Sequence, residues 1–246
     1  MSQSHPSLDH LTIVLVRPRI PENIGAAARV CYNMGINSLV VIRDSIPPRE
    51  PMAKMATHKA AHLIDQLPVY PDLGQALEDF TVVVGTTARR GKQRFVQQSP
   101  REMVNKLLPL LPKNRVAILF GPEDTGLTNE DLKYCHMTSA IPTSQFSSLN
   151  LAQAVAIHCY ELYYNIVHIP KNLTPAPQLA GSFELESMYD HIEQSLLEIR
   201  FLDHKGRDHW MANIRNLLGR LRLTSKDANI LRGICKKFLQ HQQGPP

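Results

Sequence analysis

Cysteine is scarce in this chain of 246 residues, and what there is lies scattered: Cys31, Cys135, Cys159 and Cys235, with no CxxC pair. That spacing argues against a disulfide framework and against a zinc site, and for a reducing, cytoplasmic location. No apolar run approaches the length of a membrane-spanning helix, and the opening Met1-Ser-Gln-Ser-His-Pro6 has no secretory pattern. The familiar nucleotide and hydrolase fingerprints are missing too. No GxGxxG follows the first strand-like run, so a dinucleotide-binding reading has no support. GxxxxGK(S/T) and GxSxG are absent. His58 and His62 share a helical face at i, i+4, but neither a third ligand nor the glutamate of HExxH is near. They read as exposed, and no metal is expected. There are no internal repeats and no low-complexity tract.

What is present begins with an alternation. Short β-rich runs occur at Leu11–Val16, Ser38–Ile42, Thr81–Gly85, Val116–Gly121 and Met137–Ile141, with a weaker edge candidate at Pro68–Tyr70. Between them, segments suited to helices cover Glu22–Met34, Met52–Asp65, Pro100–Leu110, Thr128–Tyr134 and Leu149–His168. Such alternation predicts an α/β fold with a mostly parallel sheet covered on both faces. Pro170 to Ser182 holds three prolines and a glycine and reads as a linker. Beyond it the pattern is helical. Leu185, Met188, Tyr189, Ile192, Leu196 and Ile199 form one apolar stripe; Met211, Ile214, Leu217, Leu218 and Leu221 form another. Thr224 and Asp227 resemble a capping box opening a last helix that would bury Leu231, Ile234, Cys235 and Phe238. The division expected is therefore 1–169 for the α/β domain, 170–182 for the linker and 183–246 for a small helical extension. Charge divides later, within the extension. Residues 200–246 hold ten Lys/Arg against three Asp/Glu, a net of +7, while the rest of the chain is at −2. A basic tail on a neutral body points to a nucleic-acid contact.

Three segments carry most of the functional information. They are Asn23-Ile-Gly-Ala-Ala-Ala-Arg29, Phe120-Gly-Pro-Glu-Asp-Thr-Gly-Leu127 and Ile141-Pro-Thr-Ser-Gln-Phe-Ser-Ser-Leu-Asn150. Each follows a strand-like run, at the sheet edge where open α/β folds bind ligands. Asn23 suits a helix N-cap, and the helix start could face an anion. Arg29 lies less than two turns further on. Gly121 and Gly126 suit close approach of a ligand to the backbone. Ser147, Ser148 and Asn150 supply hydroxyls and an amide at a helix start. Glu123 reads as a loop organiser or binding residue. A fourth segment, Val84-Gly-Thr-Thr-Ala-Arg-Arg-Gly-Lys-Gln-Arg94, passes from small polar residues suited to a nucleoside into basic ones suited to a phosphodiester backbone.

In order and spacing the three segments resemble the signature motifs of the SPOUT superfamily, specifically its SpoU/TrmH-type RNA 2′-O-ribose methyltransferases. The family's Asn-x-Gly-x-x-x-Arg corresponds to Asn23, Gly25 and Arg29. Its Gly-x-Glu-x-x-Gly-Leu corresponds to Gly121, Glu123, Gly126 and Leu127. Its Ser-Leu-Asn corresponds to Ser148, Leu149 and Asn150. The segment Gly85–Arg89, the linker and the tail from Arg220 to Ile234 are similar to the TrmJ subgroup of tRNA cytidine/uridine 2′-O-methyltransferases.

The resemblance implies a C-terminal trefoil knot, a homodimer with the active site shared between subunits, and S-adenosyl-L-methionine as methyl donor. It implies donor contacts at Thr86, Thr87, Ala88, Gly121, Ile141, Ser148, Leu149 and Asn150. Arg29 and Asn23 are implied as catalytic, with Glu123, Arg89 and Arg90 as substrate or structural candidates. The target implied is tRNA, at the first nucleotide of the anticodon loop (nucleotide 32, C or U). The family assigns Arg29 the role of base, but arginine normally stays protonated, which favours a phosphate clamp that also stabilises charge on the ribose oxygen. The competing readings are methylation of another RNA, such as rRNA, and an inactive RNA-binding homologue. A nucleotide-dependent oxidoreductase lacks its fingerprint.

Overall fold

The computed structural model describes residues 8–88, 97–168, 174–203, 206–219 and 221–242. Seven strands form one sheet: β1 (Leu11–Val16), β2 (Leu39–Ile42), β3 (Val69–Tyr70), β4 (Val82–Thr86), β5 (Gln97–Gln98), β6 (Val116–Phe120) and β7 (Met137–Ser139). Their order is β3-β2-β1-β6-β4-β7-β5, and the pairings are parallel. The helices among them are α1 (Pro21–Asn33), α2 (Arg49–Asp65), α3 (Leu73–Ala76), α4 (Pro100–Leu107), α5 (Asn129–Leu132) and α6 (Leu151–Tyr163), the last continuing as a π-turn over Tyr164–His168.

Both faces of the sheet are covered, so its central strands are apolar throughout rather than alternating. β1 shows the division. Ile13 and Leu15 enter the core beneath α1, α2, α4 and α6, with Ile24, Ala28, Met103 and Val155. Val14 and Val16 enter the opposite core, with Leu77, Leu119, Leu127 and Leu132. The expected strands are present, including the edge strand near Tyr70. Two short elements escaped the sequence reading. β5 is only Gln97-Gln98, with no apolar residue to mark it. α3 is a single turn whose cap, Asp72 Oδ1 accepting from Gln75 N at 2.9 Å, is local chemistry without periodicity.

Parallel pairing brings the strand C-termini to one edge. Leu15 lies beside Phe120, Gly85 beside Leu119, and Thr86 beside Ser139. The chain leaving β1, β4, β6 and β7 therefore emerges side by side. α1 leaves this edge and packs against α2 at very close range. A Cβ on Gly25 would lie 1.9 Å from the Met52 carbonyl oxygen. Glycine here serves helix packing.

The proline-rich segment is pinned to the opposite edge. Asn114, buried just before β6, accepts from Leu179 N (2.9 Å) and donates to Pro177 O (3.2 Å). Ser182 N then donates to Phe80 O at 3.0 Å. Three helices follow: α7 (Ser182–Glu198), α8 (Arg207–Gly219) and α9 (Ser225–Gln242). Their own small core gathers Met188, Tyr189, Leu202, Met211 and Ala228. The expected box is there, with Asp227 Oδ2 accepting from Thr224 N and Oγ1 at 2.9 and 2.7 Å.

The expected apolar stripes are only partly covered. Ile199, Leu217, Leu221 and Ile234 are exposed, and Phe238 is at the margin. Three helices in a thin layer give each helix one packed face, so α9 turns Ala228 and Leu231 inward and Ile234 outward. Among the described residues no helix is long and apolar enough to cross a membrane.

Adding one methyl group at Gly25 tests the helix contact. Gly25→Ala should lower stability by ~1–3 kcal/mol, the range for overpacking a close-packed site. Chemical denaturation measures it, and unchanged stability would mean that α1 and α2 are not in contact at this point.

Candidate active site

Glu123 stands in the loop after β6 and reaches the start of α1. Its Oε2 accepts from Arg19 N at 2.9 Å, and its Oε1 accepts from Ile20 N at 3.3 Å and from Asn23 Nδ2 at 2.7 Å. Asn23 Oδ1 in turn accepts from Asn150 Nδ2 at 2.9 Å. Asn150 Oδ1 accepts from Ala152 N and Gln153 N, capping α6. A carboxylate only accepts, so the direction of donation along this chain is determined from one end to the other. The loop after β6, the start of α1 and the start of α6 are thus tied by three side chains.

Two expectations change here. Asn23 is not the N-cap of α1. Ile20 holds that position, with no side-chain cap of its own. Asn23 sits in the first turn, buried, and its side chain is used within the protein rather than offered to a ligand. The carboxylate that complements the helix start comes from Glu123 instead. Burial raises the Glu123 pKa, but the hydrogen bonds from Asn23, Arg19 and Ile20 outweigh it and hold the carboxyl below its ordinary value.

Behind this chain a cleft of about 220 Å³ opens between the loops. Thr86, Thr87 and Ala88 line it from β4, and the loop from Gly121 to Leu127 lines it from β6. Ile141, Ser148 and Leu149 line it from the segment entering α6. Of the expected donor contacts only Asn150 stands outside the lining, where it holds the helix start. Arg89 and Arg90 lie outside the described residues.

Arg29 is exposed on α1, does not line the cleft, and has no hydrogen bond or ion pair among the described residues. Gly121 is also required within the loop itself. A Cβ there would lie 2.2 Å from Leu127 N and 2.3 Å from the carbonyl carbon of Gly126, so the loop closes on itself at this point. Gly126 has φ +64°, which favours glycine on backbone grounds.

The floor of the cleft was not anticipated. Phe120, Ser139 and His158 form it. His158 Nδ1 lies 2.9 Å from Ala154 O, which can only accept, so Nδ1 carries the proton. Nε2 then accepts from Ser139 Oγ at 3.0 Å. Burial pushes the His158 pKa down to about 4, which leaves a neutral ring at the cleft floor. A polar residue on the buried stripe Leu151, Val155, Cys159 and Leu162 of α6 was the available signal.

The lining holds neither cysteine nor lysine. Of its two carboxylates, Glu123 is taken by Asn23 and two backbone amides, and Asp124 by Arg19 at 2.8 Å. Ser139 and His158 are hydrogen-bonded to each other, but both are buried, and the ring is oriented by Ala154 O rather than by a carboxylate. The cleft is equipped to bind and position a reactive molecule rather than to attack one. A second hollow of about 270 Å³ near Arg17, Arg43 and Tyr134 contains none of the motif residues, and its charges pair within it, as in Arg17–Asp131 at 2.5 Å. Among the described residues no group of His, Cys, Asp and Glu is placed to hold a metal ion.

Comparison with known proteins follows the same division of the chain. The SpoU rRNA methylase family profile matches residues 10–160, and the profile of the tRNA methyltransferase TrmJ C-terminal domain matches residues 183–246. The tRNA (cytidine/uridine/adenosine-2′-O-)-methyltransferase TrmJ of Pseudomonas aeruginosa is 36% identical, covering 96% of each chain. The crystal structure of TrmJ from Z. mobilis superposes with a TM-score of 0.78 at 31% identity, covering 92% of this chain and 97% of that one. The SpoU methyltransferase AviRb of Streptomyces viridochromogenes, solved in complex with AdoMet, shares the fold at 22% identity and a TM-score of 0.51, over 65% of this chain and 59% of that one.

The Glu123 hydrogen bonds set a pH dependence. A carboxyl with a depressed folded-state pKa contributes stability in full above its unfolded value, about 4.3, and loses it as pH falls through the folded value. Glu123→Gln lacks that contribution at every pH. The stability gap between the two proteins should be widest above about pH 5 and close on acidification below the ordinary carboxylate range. Denaturant midpoints measured against pH give the gap directly, and a gap independent of pH would show that the Glu123 charge is not what ties the loop to α1.

Proposed function

Because the chain belongs to the SpoU methylase family and matches the TrmJ C-terminal domain, we propose that it methylates tRNA on a ribose 2′-hydroxyl, with S-adenosylmethionine as donor. The observation that carries this reading is the link from Glu123 through Asn23 to Asn150, which gathers the family's three motifs around one cleft. By the same reading the target is nucleotide 32 of the tRNA, C or U, the chain carries the family's C-terminal knot, and it works in the cytoplasm. The division of labour is 1–169 for methyl transfer, 170–182 as linker and 183–246 for tRNA contact.

The cleft fits the donor on its own terms. Phe120, Ile141 and Leu149 offer apolar surface for an adenine, and the turns at Thr86–Ala88 and Gly121–Leu127 offer backbone groups at close range. His158, held neutral, adds no positive charge against a sulfonium. When bound, the donor supplies an activated methyl group, so the protein's task is mainly positioning. Asn150 and Asn23 hold the two helix starts in register. Glu123 holds the loop that walls the cleft.

The ribose oxygen gains charge as it loses its proton, and Arg29 is the group to stabilise it while gripping an adjacent phosphate. Arg29 does not line the cleft of its own chain. A second copy must therefore bring it. α6 presents Ile157, Tyr160, Tyr164 and Val167 to solvent, and α1 presents Tyr32 beside Arg29's helix turn, an apolar surface suited to such a homodimer.

The test is transfer of labelled methyl from S-adenosylmethionine into bulk tRNA, followed by ribose-methylation mapping. Methyl at nucleotide 32 is expected; incorporation only into rRNA, or none, would overturn the reading. Arg29→Ala should reduce transfer at least ~100-fold, the scale for losing a transition-state charge contact, with donor affinity nearly unchanged. Gly121→Val, which collides with its own loop, should lose donor binding. Mixing these two inactive proteins, with subunit exchange verified, should restore transfer in the mixed dimers. No recovery would mean that each site is built within one subunit.

A further inference from the structure

The chain has a single tryptophan, Trp210, and it is 45% exposed near the start of α8. Phe201, in the turn after α7, is 51% exposed, and the two rings meet edge to face with centroids 5.0 Å apart. Large aromatic side chains normally enter the core, yet here the third core lies alongside and takes Leu202 instead.

The end of α7, which leads into Phe201, is closed by hydrogen bonds. Phe201 N donates to Leu196 O and Arg200 N to Leu197 O, both at 3.0 Å, which is the double closure of a Schellman motif. Asp203 Oδ1 accepts from Gly206 N at 2.7 Å, and Gly206 packs against the Trp210 ring. His209 stands edge-on to the same ring.

The residue between the two closures is Arg200, at φ +58°. Glycine is the usual occupant of that left-handed position, and arginine there is strained. Arg200 is exposed and engages in no ion pair among the described residues. The two closures hold the strained turn, and the exposed guanidinium they present has no partner among the described residues.

We propose that Phe201, Trp210 and Arg200 form a stacking platform for unpaired bases of the RNA substrate. This rests on the tRNA reading above and adds a base-contacting site to it. The occupant follows from charge and shape. The platform opens the stretch 200–246, whose net charge of +7 favours a polyanion over an apolar partner, while α7 before it carries five carboxylates and neither Lys nor Arg. Exposed aromatic faces accept bases that have left a duplex, and a guanidinium beside them can stack or hold the phosphate. Bases inside a duplex cannot reach such a surface.

Trp210 reports on its own site. In the full-length protein, titration with unmodified tRNA should quench tryptophan emission saturably, and a fully paired RNA duplex should not. Trp210→Ala and Phe201→Ala should each weaken tRNA binding by ~5- to 100-fold, the range for one lost base stack. The slope of affinity against salt should stay unchanged, because no phosphate contact is lost. Trp210→Phe should keep most of the affinity, which separates stacking from misfolding.

Arg200→Gly relieves the backbone strain, so it should keep or raise thermal stability while weakening tRNA binding. Wild-type affinity in Trp210→Ala, or unquenched emission with tRNA bound, would overturn the platform. So would a loss of dimer with RNA affinity intact, since the face would then belong to a second copy. Methyl transfer by the wild-type protein is scored separately: transfer without quenching sinks the platform alone, whereas a wild type that neither binds nor methylates tRNA sinks the tRNA reading.

Discussion

One carboxylate holds three distant stretches of this chain together. Glu123 leaves the loop after β6, takes the free backbone amides at the start of α1, and receives the amide of Asn23. Asn23 passes the connection to Asn150, which caps α6. The polar chain is buried at Asn23 and open to solvent at Asn150, and its buried member is bonded at both polar ends. Here each link accepts from the next, and the ends are backbone groups. The cleft exists because these three stretches stand at fixed distances from one another. Besides that tie, Leu127 in the core and the Arg19–Asp124 ion pair at 2.8 Å locate the loop at Gly121–Leu127.

The division between what could be read from the residues and what could not follows from range. Apolar runs of four to six residues at β1, β2 and β6 marked a doubly covered sheet, and the structure pairs them in parallel. β5 could not be seen, because Gln97-Gln98 has no pattern and exists only by lying beside Thr138 and Ser139. The residues expected around the cleft were legible as small and polar groups at strand ends. Their reasons were not. Gly121 is required by contact with Leu127 N, a neighbour six residues on, whatever the cleft binds. Asn23 looked like a cap because caps are local; its partners are 100 and 127 residues away. His158 was invisible for the same reason, since only the fold brings Ser139 to its ring.

The same contrast separates the two ends of the molecule. In the α/β part, helices and sheet meet on both sides, and the largest group of apolar residues left outside lies on α6 and the turn after it. In the helical extension, α7, α8 and α9 share one thin core, and a third of the expected apolar stripes remains outside. A periodic stripe tells which face of a helix is apolar, but not how many neighbours will cover it. Polar contacts hold the extension in place where apolar ones are few. Arg215 pairs with Glu186 at 2.5 and 2.8 Å and lies 4.2 Å from the centre of the Tyr189 ring.

Backbone strain adds a further argument about where this protein spends stability. Arg17, Thr57, Arg200 and Arg222 are the non-glycine residues at positive φ among the described residues, and three of the four are arginines. Arginine has no conformational preference that would place it there, and glycine would relieve each position. For Arg17 the reason is visible: at φ +49° its guanidinium reaches Asp131, which also caps α5. Strain at Arg17 is thus offset by a contact joining the end of β1 to the turn after Leu127. Arg200 and Arg222 sit in the basic extension, both exposed, with no comparable contact among the described residues. At Arg200 the two hydrogen bonds that close α7 offset the strain instead, which leaves its exposed guanidinium unspent within the described residues.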